Sequence, residues 1–175
     1  RNSGQAVATR FLAGAGYAYG NSTALPFEKH FYAGGSNSLR GWQARTVGPG
    51  LSQMDDSFVI PNQTGDMKLE ANIEYRFNMF WKVAGALFLD AGNIWTLRSS
   101  GGRNSNESMF RWDTFGESIA ANWGMGLRLN FGFLLLRLDM GIKIHDPARL
   151  DKWVTPRQWL DRDGFALHFG VGYPF

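Results

Sequence analysis

The residues of this chain that could do chemistry do not assemble into a catalytic constellation. The three histidines, His30, His145 and His168, fall in separate segments with no metal-ligand spacing between them. There is no cysteine, so a thiolate nucleophile, a Cys-ligated metal and a disulfide framework are all excluded. The run Gly35 to Gly41 is followed by Trp42 where a phosphate loop needs Lys, and Gly124 and Gly126 lack a third glycine, position 129 being Leu129. Asp55 and Asp56 read as a solvated loop rather than a metal site. The sequence therefore predicts no enzyme, and no metal or cofactor. The charges it holds sit on the polar faces of otherwise regular alternating segments, as with Arg10, Glu74 and Asp90.

Those segments alternate with period two. From Met67 to Met79 the odd positions are Met67, Leu69, Ala71, Ile73, Tyr75, Phe77 and Met79, and the even positions are Lys68, Glu70, Asn72, Glu74, Arg76 and Asn78. One face is apolar throughout and the other polar, a separation that a strand produces and a helix at 100° per residue would scramble. The same pattern runs through 122–131, 133–145 and 165–175, and more weakly through 6–19 and 83–97, where Asp90 falls on the polar face. Six strands are expected. Their length exceeds the ~5–6 residues usual in globular sheets and matches the ~9–11 tilted residues that cross a bilayer.

The connections strengthen this reading. Those near 80–82 and 131–132 are short, while 20–65, 98–120 and 146–164 are long and polar. Short and long turns alternate, as they do between the two sides of an outer-membrane barrel. Apolar runs such as Phe133 to Leu136 are too short for a membrane helix. The mean hydropathy of −0.26 is compatible with strands that average a lipid face and a wet face. Gly is 22 of 175 residues and aromatics are 15%, both high for a soluble domain. The net charge of +3 is spread along the chain, leaving no basic block suited to nucleic acid or anionic lipid. Six strands cannot close a barrel, because the smallest have about eight. The chain, which opens without a signal peptide, is thus expected to be one arc of a larger all-β, antiparallel transmembrane barrel, completed by strands from elsewhere.

Three segments carry a family resemblance. Phe31-Tyr32-Ala33-Gly34-Gly35-Ser36-Asn37-Ser38-Leu39-Arg40-Gly41-Trp42, with Val47-Gly48-Pro49-Gly50 after it, looks like the long-loop motif of the BamA/TamA family of outer-membrane protein assembly factors. Leu87 to Trp95 is similar to the family's Asp-containing strand. The end, His168 to Phe175, fits the outer-membrane β-signal through His168, Gly170, Tyr173 and Phe175. The run 63–77 looks like a Bacteroidetes-type branch. The resemblance covers essentially the whole chain and implies the last six strands of a sixteen-stranded barrel.

It also implies roles. The loop of about 20–65 would fold back into the lumen, and Arg40 would pair there with Glu74, Asp90 or both. Gly34, Gly35 and Gly41 would allow a tight backbone path, and Trp42 would pack on the wall. The last strand would form a weak seam that opens to a client strand, with Gly170, Gly172 and Pro174 as poor ladder residues; equally, the terminus could be only the chain's own insertion signal. Trp81, Trp95, Tyr19 and Tyr173 would be interfacial girdle residues. The implied location is the bacterial outer membrane of a Gram-negative cell, with a periplasmic C-terminus. The implied partners are outer-membrane lipids, unfolded outer-membrane protein clients, upstream barrel strands with POTRA domains, and accessory lipoproteins. A transport pore for a single secreted partner, of the two-partner secretion type, is the alternative function.

Overall fold

A computed structural model describes residues 4–21, 25–53, 63–98 and 105–175. Six strands form one sheet: β1 (Gln5–Ala15), β2 (Met67–Phe80), β3 (Val83–Trp95), β4 (Ala120–Asn130), β5 (Leu135–His145) and β6 (Phe165–Val171). They are ordered as in the sequence, each antiparallel to the next. Asp55 and Asp56 lie outside the described residues.

The period-two pattern is realised as two unlike faces. Along β2 the even residues Glu70, Asn72 and Glu74 are buried while Ala71, Ile73 and Tyr75 are exposed. Across the sheet the exposed set includes Val7, Phe11, Leu87, Leu89, Met125, Leu127, Leu138, Leu167 and Phe169. One face is thus an uncovered apolar surface that reaches every strand, far beyond the scattered apolar residues of an ordinary soluble surface.

The other face carries the charges in cross-strand rows. One row reads Arg10, Asn72, Asp90 and Asn122. The next reads Ala8, Glu74, Phe88, Gly124, Gly141 and Ala166. The third reads Ala6, Arg76, Ala86, Gly126, Asp139 and His168. Small residues in the middle rows leave room above the backbone for something to lie there. Arg76 Nη2 on β2 donates to the Phe175 carbonyl at 3.2 Å, so the segment after β6 reaches back across this face.

The last strand is shorter than the alternation predicts. Pairing of β6 stops at Val171, not Phe175, because Gly172 adopts φ +83 and turns the chain off the ladder. Tyr173, Pro174 and Phe175 therefore lie beyond the strand. Phe175 turns inward, with the Arg10 guanidinium 5.1 Å from its ring centre. A second correction concerns Trp95. It is 1% exposed rather than an interfacial girdle residue. Its ring stacks on Phe115, meets Phe110 edge-on, and donates from Nε1 to Ser118 at 3.0 Å. The segment after β3 folds over the strand end and covers it. Trp81, Tyr19 and Tyr173 are exposed.

Candidate functional site

The segment before β2 crosses the small-residue rows and fills them. Phe31 and Gly65 bridge at its base through mutual backbone hydrogen bonds of 2.8 and 3.0 Å. Gly34 and Gly35 then take φ +96 and +101, values open to glycine but costly for other residues. This turn lets Gly35 N donate to the Trp42 carbonyl at 3.0 Å, closing a compact loop tip from 35 to 42. Leu39, Trp42, Ala33 and Val47 pack with Ile94 and Ala120 into an apolar cluster.

Arg40 stands at the tip and is fully buried. Its Nε and Nη2 donate to the two oxygens of Asp90 at 3.0 and 2.8 Å, a bidentate fork. Its Nη1 donates to Glu74, and its own backbone N donates to Asp90 Oδ2 at 3.2 Å. Beneath the guanidinium lies the Phe88 ring, 3.5 Å from Cζ to centroid, a cation–π contact. Lys could supply the charge but not the planar fork.

The acids are held as firmly as the arginine. Asn72 and Asn122, Asp90's neighbours in its row, each donate to it at 3.0 Å. Glu74 accepts from Arg76 at 2.8 Å and from Arg128 at 3.2 Å as well as from Arg40. Arg128 in turn pairs with Asp139. Asp139 Oδ2 stands 3.8 Å from Arg137 Nη1, and neither atom has a hydrogen-bond partner among the described residues. Four guanidiniums and three carboxylates thus share one buried patch.

The loop backbone is bound on both sides of this patch. Arg10 donates to the Asn37 carbonyl at 2.6 Å, Asn72 to the Ser38 carbonyl at 3.1 Å, and Lys68 to the Tyr32 carbonyl at 2.9 Å. Ser38 donates to Glu70 at 2.5 Å. His168 Nε2 donates to the Arg40 carbonyl at 3.1 Å. The approach is close enough to require glycine on both partners. A Cβ on Gly41 would stand 2.6 Å from Asn122 Cβ, and one on Gly141 would fall on the Arg40 carbonyl.

The structure therefore brings Arg40, Glu74 and Asp90 into direct contact, with Gly34, Gly35, Gly41 and Trp42 shaping the loop that delivers them. His168 and Gly170 lie on the same face, and His168 also touches the loop. Tyr173 is set apart, exposed beyond the strand end, with Arg76 4.3 Å from its ring centre. Reading the sequence by pairs missed Asn72, Asn122, Arg128, Asp139 and Gly141. The signal was present in the polar faces of the alternating segments. Only the strand register says which of those residues stand side by side.

Comparison with known proteins agrees with this architecture. A family model described as the Omp85 superfamily domain matches residues 2–175. The chain is similar to the outer membrane protein assembly factor BamA of Neisseria meningitidis serogroup B, strain ATCC BAA-335 / MC58. The two are 33% identical over 82 residues, which cover 44% of this chain and 10% of that protein. The matched region is thus about a tenth of the curated relative's length.

Proposed function

Because the chain belongs to the Omp85 superfamily, we propose that it is the C-terminal arc of an outer-membrane barrel that assembles other outer-membrane proteins. The observation that carries this reading is the buried Arg40 fork. A fully buried guanidinium on a loop, met by two wall carboxylates, is costly to desolvate and is held only where the geometry is well satisfied. It fixes the loop across the inner wall, where a plain diffusion pore would keep open water.

In this reading the uncovered apolar face meets lipid and the charged face meets the lumen. The edges of β1 and β6 are unpaired among the described residues, and lipid does not tolerate open edges. Upstream strands of the same protein would complete the wall, bringing these six to sixteen. The β6 edge would then be the weak side of a seam. A client strand could add there through main-chain hydrogen bonds, which demand little of its sequence. The working partners are unfolded outer-membrane proteins, with POTRA repeats upstream to receive them. No nucleotide or metal takes part.

Depletion of the full-length parent protein, followed by quantitative proteomics of the outer membrane, tests the proposal. Broad loss of many barrels is expected. Loss of one secreted protein alone would replace assembly by dedicated export, and an unchanged outer membrane would refute both.

A further inference from the structure

β6 has fewer ladder partners than any other strand. Seven residues, from Phe165 to Val171, pair with β5 between Ile142 and Leu136. Its other edge is unpaired among the described residues. Its inner face presents Ala166, His168 and Gly170, and the last two meet the loop or a residue bound to it. Ala166 is buried and lines one cavity with Gly41 and Trp42. His168 is 9% exposed and donates to the Arg40 carbonyl. Gly170 lies under Arg137, where an added Cβ would stand 2.5 Å from Nε. The far end of that guanidinium donates to the Asn37 side chain in the loop tip.

Arg40 thus faces two ways. Its side chain binds Asp90 and Glu74 on β3 and β2, and its carbonyl binds β6. Between them, its peptide rests on Gly141 of β5, with no room for a side chain. The loop tip cannot leave the wall without breaking the His168 hydrogen bond. Equally, β6 cannot swing outward without breaking it.

We infer that His168 is a positioning residue that couples the docked loop to the last strand, so that undocking the loop loosens β6 and displacing β6 loosens the loop. The inference rests on the reading of the loop and the β6 edge as working parts. It adds that they are one mechanical unit rather than two. The coupling is an equilibrium linkage, so it must act equally in both directions.

Amide hydrogen exchange on the full-length parent protein in lipid vesicles tests it, without any client present. His168→Leu keeps the side chain's bulk and removes the donor. It is expected to raise exchange about fivefold to tenfold, the effect of one lost buried hydrogen bond. The rise should appear at Ala166 and Gly170, whose amides point at β5, and also in the loop tip 34–41. His168→Gln, which can still donate to the Arg40 carbonyl, should restore both regions. Arg40→Ala should raise exchange in β6 by a similar factor. A rise confined to β6, a rise spread evenly over β2 and β3, or no rise at all would overturn the coupling. If the leucine variant fails to fold, Asn37→Ala cuts the second tether, through Arg137, and must produce the same paired rise. A client-folding measurement on Arg40→Ala is run alongside. Coupling without a folding defect would sink the assembly reading alone, and a folding defect without coupling would sink this inference alone.

Discussion

Replacing Arg40 by Ala should destabilise the folded barrel mainly through Asp90, and the damage should be repairable at Asp90 but not at Glu74. Removing one member of a buried ion pair costs about 3–5 kcal/mol, because the partner charge stays buried and unpaired. Here the two partners are not equally exposed to that penalty. Glu74 keeps Arg76 and Arg128 when Arg40 is gone. Asp90 loses the only cation within ion-pair reach among the described residues and keeps only neutral donors, Asn72 and Asn122 among them. The expected cost of Arg40→Ala is therefore about 3 kcal/mol, at the low end of that range. Adding Asp90→Asn removes the orphaned charge and should return about 2 kcal/mol, a coupling within the range seen for contacting residues. Adding Glu74→Gln should return nothing and cost more, since it takes the carboxylate from Arg76 and leaves Arg128 with Asp139 alone. The assay is a double-mutant cycle on the full-length parent protein. The folded fraction in lipid vesicles is followed against urea through the heat-resistant gel mobility of folded barrels. Equal rescue by the two second substitutions, or none by Asp90→Asn, would refute the assignment of the penalty to Asp90.

Gly141→Ala should push the Arg40 carbonyl off the wall and expose the loop, so that trypsin cleaves after the exposed Arg45 several times faster; Gly116→Ala, with open space around it, should leave cleavage unchanged. Leu87→Arg, on the uncovered face, should cost about 2–4 kcal/mol of vesicle-folded stability if that face meets lipid at mid-depth. A cost below about 0.5 kcal/mol would mark the face as wet. Trp95→Ala should cost about 3–5 kcal/mol, as for a buried aromatic, whereas Trp81→Ala, 80% exposed, should cost far less in the same urea titration.

The alternation of residue types was enough to place all six strands to within a few residues, because a side-chain period of two has no other regular explanation. It also told apart the apolar and polar faces, and so put Glu74 and Asp90 on one side before any coordinate was known. The Arg40 motif was visible as a resemblance, since three glycines and an aromatic flank it in a pattern few loops share. What the sequence left undetermined was everything that depends on register. Asn72, Asp90 and Asn122 are 18 and 32 positions apart along the chain, yet stand in one row because three strands pair at one particular offset. Gly141 reads as an indifferent strand glycine until the Arg40 peptide lies on it. The end of β6 reads as four more alternating residues, because alternation does not report that Gly172 has turned the backbone. Trp95 reads as a surface aromatic, because its cover comes from a segment twenty residues on. The link from His168 to Arg40 spans 128 positions. No local pattern encodes it, since it exists only once the strands pair and the loop folds back over their inner face.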